Sequence, residues 1–256
     1  MHFTGGWLVL LWLGLWPGPV PTEHFQDPDP LQADLVVYDA TPAGISAAIA
    51  GRRAGLEVIL ISPHRHLGGL TTSGLGATDV GAGSTVGGIG REFYQALREH
   101  YDLPQSWNRQ KKSDFKGRGH KAGEDVAWTF EPQIAEALLE KMLREEGVRI
   151  LRDSPIDRTA AATTRSIPWR LIGLRLKKGG MVRGRVFIDA SYEGDLLPLA
   201  QVPYTVGRES NDQYGETLNG VQNARAVKHQ FKEAVSAKVE DRKSTRLNSS
   251  HTVISY

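Results

Sequence analysis

Residues 34–62, DLVVYDATPAGISAAIAGRRAGLEVILIS, hold two short apolar runs on either side of a stretch rich in alanine and glycine. Consecutive apolar residues without polar alternation mark strands covered on both faces. Small residues between them suit a helix lying close against a sheet, and Gly55 is a natural stop. The pattern predicts a strand over 35–38, a tight turn, a helix over 44–54 and a second strand over 58–61. This is the opening β-α-β unit of a dinucleotide-binding fold. A helix N-terminus straight after a buried strand offers unpaired N–H groups and a positive dipole end to a diphosphate. Thr41 would add a hydroxyl donor there. The turn departs from G-x-G-x-x-G, because Asp39 and Thr41 occupy the first two glycine positions and only Gly44 matches. A plain α/β crossover is the alternative for this unit standing alone.

The second strand ends in Ser62, where an acidic residue commonly accepts hydrogen bonds from the adenosine ribose. A neutral serine would not repel a 2′-phosphate, and His64, Arg65 and His66 follow it, so an NADP-binding enzyme is a rival reading. The next stretch, HLGGLTTSGLG over 66–76, is rich in glycine and small residues. Such a loop can lay its backbone against a flat cofactor or its phosphates.

Further along, Ile89, Phe93, Leu97 and Tyr101 recur at helical spacing over 88–101. Residues 107–125, with Lys111, Lys112, Lys116, Arg118 and Lys121, read as an exposed polar loop. Residues 131–146 are the clearest helix, with Pro132 at its first position, a stripe of Ile134, Leu138 and Met142, and Gly147 as terminator. Four β segments follow, over 148–151, 156–161, 169–176 and 182–188, with a Lys178-Gly179-Gly180 turn before the last. They resemble a β-meander inserted between parallel strands, not another β-α-β repeat. The last segment leads into DASYEGDL at 189–196.

Four quoted stretches carry a family resemblance: the opening unit, HLGGLTTSGLGATDVG, the helix opening FEP, and FIDASYEGDLLPLAQVPYTVGRES. Over roughly residues 33–220 the chain resembles the FAD-dependent oxidoreductases of the group labelled xanthan lyase-like. The resemblance implies an α/β, Rossmann-like FAD-binding domain of the glutathione-reductase type, with a parallel sheet flanked by helices and an inserted β-meander. It implies FAD as cofactor, with Ala40, Thr41, Pro42, Ala43 and Gly44 at the pyrophosphate and Ser62 by the adenosine ribose. His66, Leu67, Gly68, Gly69 and Thr71 would run beside the pyrophosphate and flavin. Asp189, Ala190 and Ser191 would close over the nucleotide. The departures are Asp39 for a family glycine and Ser62 for the usual acid. The implied activity is hydride transfer from a small organic or carbohydrate-derived substrate to FAD. A non-catalytic carbohydrate-binding or surface protein on a degenerate flavin fold is the alternative from another class.

Residues 7–16, WLVLLWLGLW, are too short to span a bilayer, which takes about 20 apolar residues. They have the length of a secretory signal core, so residues 1–26 are expected to act as signal peptide or N-terminal anchor. Export to a periplasmic or extracellular location follows, with residues 27–33 as linker and no further membrane span. The final residues, DRKSTRLNSSHTVISY over 241–256, match the translation of a sequencing adaptor. The natural sequence is therefore expected to leave the frame near Glu240, with the FAD domain (34–220) partial, 221–240 the start of a truncated remainder, and little flavin retained by residues 27–240. Without the tail the basic and acidic side chains balance, so the formal charge of +2 is no argument for nucleic acid. With no cysteine, disulfides, thiolate metal sites and a cysteine nucleophile are excluded. His100 and His120 lack partners at ligand spacing, so no metal is expected. No G-x-S-x-G occurs, and no catalytic residue is legible. The expected partner is a small-molecule substrate. Tyr192, Glu193, Asp195, Arg208 and Glu209 form a charged cluster, read either as lining the substrate side of the flavin or as an ion-paired supporting loop.

Overall fold

The computed structural model describes residues 30–164, 170–207 and 209–216. The apolar N-terminal run and the adaptor-like tail lie outside these residues. The chain divides into two compact units, one ending at Pro203 and the other beginning at Tyr204. The second unit's described part is a short segment with one helical turn, Asn211–Tyr214.

The first unit opens with β1 (Leu31–Tyr38), α1 (Pro42–Arg53) and β2 (Val58–Ile61), with Leu35 to Tyr38 parallel to Val58 to Ile61. The helix starts earlier than its small-residue run because Thr41 caps it and Pro42 fits its first turn. β1 also starts earlier, since Leu31 to Ala33 pair with Val182 to Gly184, so the expected linker is partly strand. α2 (Gly88–Asp102) and α3 (Pro132–Glu145) follow, then β3 (Arg149–Leu151) parallel to β2. β4 (Ile156–Thr164), β5 (Arg170–Leu176) and β6 (Met181–Asp189) form an antiparallel ribbon. β6 then runs parallel to β1, giving the order β3-β2-β1-β6-β5-β4. The expected meander is present, but its first segment, β3, is the third parallel strand.

Residues 152–155 alone join β3 to β4, strands at opposite ends of that order. Five strand spacings span about 24 Å, whereas a four-residue link reaches at most about 18 Å. The ribbon therefore folds across one face of the parallel strands instead of continuing their plane. The two cores confirm this. Leu35, Val37, Val58 and Leu60 face α1, α2 and α3, burying against Ile45, Ile49, Leu97 and Leu143. Val36, Tyr38, Ile59 and Ile61 face the other way and bury against Ile156, Leu174 and Val182 of the ribbon. Each strand is apolar at consecutive positions because it is the middle of three layers.

The buried stripe of α2 is Phe93, Leu97 and Tyr101, as its spacing predicts. In α3 the buried stripe is Ala135, Leu139 and Leu143, one residue on from the expected Ile134, Leu138 and Met142, which are only partly buried. Both sets have the same period, and packing against α1, α2 and the glycine-rich loop selects the set with the smaller leading residue.

Candidate functional site

The turn after β1 is built by backbone demands. Asp39 has φ 76°, the left-handed region that favours glycine, and its N–H donates to Ile61 O at 2.8 Å. Thr41 is extended and buried; its Oγ1 accepts from Gly44 N at 3.2 Å and donates to Ala190 O at 2.8 Å. This corrects the expectation of a phosphate donor, since the hydroxyl proton is already committed to the end of β6. Pro42 has no N–H and that of Gly44 is taken, leaving Ala43 as the first-turn amide without an intrahelical acceptor. A Cβ on Gly44 would lie 2.0 Å from Asp39 O and 3.0 Å from Ala190 Cβ. The glycine is thus required by the closeness of helix, turn and β6.

Burial raises the carboxyl pKa of Asp39. His64 and the Ala40 N–H lower it in part, and the charges of Asp195 and Asp189 raise it further. Asp39 is the one residue of this turn whose charge opposes an anion.

The glycine-rich loop docks against the turn through Gly68 N–H, which donates to Ala40 O at 2.7 Å. Leu67 is fully buried and its N–H donates to Glu136 Oε1 at 2.9 Å, while His66 Nδ1 lies 3.0 Å from Glu136 Oε2. Gly69, with φ +50°, sits where a Cβ would fall 2.3 Å from the Tyr192 hydroxyl. That hydroxyl accepts from Leu70 N at 2.8 Å. The loop closes on itself through Thr71 N to Gly68 O at 3.1 Å, Ser73 Oγ to Gly69 O at 2.7 Å, and Thr72 Oγ1 to Leu67 O. Glu136 and Tyr192 hold this loop, and no spacing in the sequence marks either for that task.

At the end of β6, Ala190 N–H donates to Tyr38 O at 2.9 Å. Asp189 accepts from Ser191 N at 3.0 Å, Ser191 Oγ at 2.6 Å and Leu196 N at 2.7 Å, so its carboxylate closes the loop into α4 (Leu196–Leu199). Asp195 pairs with Arg158 at 2.7 Å. Of the expected charged cluster, Tyr192 and Asp195 therefore serve as supports. Arg208 lies outside the described residues, and Glu209 belongs to the second unit.

Ser62 departs from expectation. It is 1% exposed, and its hydroxyl donates to His64 O at 2.8 Å and accepts from His64 N at 3.3 Å. Its backbone is bonded to Leu151 O at 2.8 Å and Ser154 N at 2.9 Å. The side chain closes a local turn and is not free to bond a ribose. The structure thus brings together residues 40–44, 67–71 and 189–191, and sets Ser62 beneath the surface at the end of β2.

A concavity lies in the region expected to be an exposed loop. A pocket of about 280 Å³ is walled by Tyr101, Trp107, Phe115 and Phe130. His120 packs behind it, 8% exposed, with ring centroids 5.2 Å from Tyr101 and 4.9 Å from Phe115. Its Nε2 lies 2.7 Å from Thr129 O, which makes Nε2 the protonated nitrogen, and burial holds its pKa down. The Tyr101 hydroxyl, pushed up to about 12 by burial, accepts from Glu131 N at 2.8 Å. Among the described residues no group of His, Asp and Glu is placed to hold a metal, and no helix is long and apolar enough to cross a membrane.

The first site fits a dinucleotide. It offers a capped helix N-terminus, small residues at its mouth and a docked glycine loop, with Asp39 alone in opposition. Among solved structures, L-amino acid deaminase from Proteus vulgaris matches with a TM-score of 0.45 and 15% identity, over 70% of this chain and 58% of that one. L-proline dehydrogenase from P. horikoshii matches with a TM-score of 0.43 and 13% identity, over 70% and 59%. 3-Ketosteroid-delta4-(5alpha)-dehydrogenase from Rhodococcus jostii RHA1 gives 0.39 and 18%, over 66% and 47%. The chain thus spans about half the length of these proteins. No curated protein matches it. The family model described as FAD dependent oxidoreductase matches residues 34–253, a stretch that also takes in most of the adaptor-like tail. With most of its length under that model, the chain belongs to the FAD dependent oxidoreductase family, whose cofactor is FAD.

Proposed function

We propose that this chain is the nucleotide-binding part of an exported flavoenzyme that oxidises a small organic or carbohydrate-derived substrate by hydride transfer to FAD. The observation that carries the reading is the meeting of three distant stretches over the start of α1. Gly68 N–H binds Ala40 O, and Thr41 Oγ1 binds Ala190 O. On this reading Ala43 N–H and the α1 dipole hold the pyrophosphate, and the backbone of residues 66–71 lies along it toward the flavin. Ala190 closes the turn from the β6 side, and the end of β2, with Ser62 inside it, borders the adenosine. FAD supplies the hydride acceptor when bound. The residues described here bind and orient it; none is placed as a base. The export part of the reading rests on the apolar run at 7–16.

The rival NADP-binding reading calls for further β-α-β repeats after β3. The antiparallel ribbon of β4, β5 and β6 occupies that place instead, which favours the FAD reading. The test is to purify the protein, titrate FAD and NADP into it separately, and follow flavin absorbance near about 450 nm and ligand fluorescence. Weak but saturable binding of FAD, lost on purification as expected of a partial domain, with none of NADP is expected. Binding of NADP alone would overturn the reading, and binding of neither would favour a degenerate, non-catalytic fold.

A further inference from the structure

The pocket beside α2 uses no group of the nucleotide site, and its walls and rim differ in chemistry. The polar atoms of the walls are already engaged. Trp107 Nε1 donates to Tyr101 O at 2.7 Å, and the Tyr101 hydroxyl is held by Glu131 N at 2.8 Å. What remains toward the cavity is aromatic surface from Tyr101, Trp107, Phe115 and Phe130, with Trp107 and Phe115 tilted at 55° and 5.4 Å between centroids. The rim carries Asn108, Arg109, Gln110 and the Glu131 carboxylate. Among the described residues, Asn108, Arg109 and Gln110 make no side-chain hydrogen bond or ion pair, so their planar polar groups are available to a guest.

This combination selects a ligand class. A cation would gain from the rings and from Glu131 but would meet Arg109. An anion would gain from Arg109 but would meet Glu131. A purely apolar guest would leave two amides and the Arg109 guanidinium unmatched as it displaced their water, with the Glu131 carboxylate held only by the Tyr101 hydroxyl at 3.3 Å. A neutral ring with one apolar face and many hydroxyls satisfies all of them. Its C–H face stacks on an aromatic wall, and its hydroxyls both donate to Glu131 and accept from Arg109, while each amide does either. The cavity, about 280 Å³, is at the small end of ligand pockets, so it suits one or two such rings. We propose that the pocket walled by Trp107 and Phe115 and rimmed by Asn108, Arg109, Gln110 and Glu131 is a binding site for a neutral pyranose sugar.

The back wall connects this pocket to the cofactor loop. Phe130 N donates to Gly76 O at 2.8 Å, and Thr129 forms an antiparallel bridge with Ala77, just past the glycine-rich loop. A sugar seated here would press on the bridged segment, Thr129 and Phe130, that anchors that loop. Its role as substrate rests on the proposed function; its binding does not.

Calorimetric titration of the whole chain with glucose, mannose, galactose and xylose tests the proposal, with tetramethylammonium, glucuronate and indole as competing chemistries. Saturable millimolar binding of at least one neutral sugar is expected, tighter than any of the three competitors. The rim double variant Asn108→Ala, Gln110→Ala, which touches no bond of the fold, should weaken it about tenfold or more. Trp107→Ala should abolish it. Absence of binding by all four sugars, tighter binding of a competitor, or an unchanged affinity in the rim variant would each overturn the proposal. Flavin titration of the same samples separates the two readings, since sugar binding without FAD binding would defeat the proposed function and leave this site standing.

Discussion

Asp39 carries the main tension at the scale of single residues. It adopts a left-handed backbone that glycine takes freely, and it puts a carboxylate at the turn proposed to receive the diphosphate. Its raised pKa means that the folded state binds the proton more tightly than the unfolded chain does. Its contribution to stability is complete below the ordinary Asp value of about 3.9 and is lost as pH rises through the elevated folded value. Relative to Asp39→Asn, which keeps the left-handed turn accessible, the unaltered protein should lose stability as pH climbs out of the acid range. Urea midpoints compared at about pH 4 and about pH 7 check this, and a pH-independent difference would contradict it. Nearby, Gly44→Ala should destabilise by about 1–3 kcal/mol or more, because its Cβ would overlap backbone. The need for glycine at 44 could be read from the sequence. The engagement of Thr41 and Ser62 could not, because a hydroxyl in a turn serves its own backbone or a ligand equally well until its neighbours are fixed.

Among the elements, periodicity located α2 and α3, small-residue composition located α1, and only their rotation and ends were left to be settled. In α3 two apolar stripes of equal period sit side by side, and packing against α1, α2 and the glycine-rich loop chose Ala135, Leu139 and Leu143. Leu143→Ala should therefore cost about 2–5 kcal/mol, against well under half of that for Met142→Ala. Equal losses in chemical denaturation would place the stripe wrongly. The apolar strands were legible because both faces are buried. The partner of each face was not, since a continuous apolar run does not say whether helices or a folded ribbon lie above it. The short link at 152–155 supplies that information only once the pairing order is known.

Across the whole molecule, the ends of β1 and β6, the start of α1 and the glycine loop converge, so that one surface gathers residues as far apart as Ala40 and Ser191. The first two stretches could be named from the sequence because glycine and small residues concentrate there, and the third through the family resemblance alone. The supports could not, because Glu136 and Tyr192 are ordinary polar residues whose task exists only in three dimensions. The same holds for the aromatic pocket, hidden in a segment whose lysines advertise a solvated loop. The central claim, that the start of α1 receives the FAD diphosphate with Asp39 opposing it, is tested most directly by titrating FAD into the unaltered chain and into Asp39→Gly at neutral pH. Removing one carboxylate and restoring a glycine should tighten binding by about tenfold. Equal or weaker affinity in Asp39→Gly would show that the diphosphate does not sit at this turn.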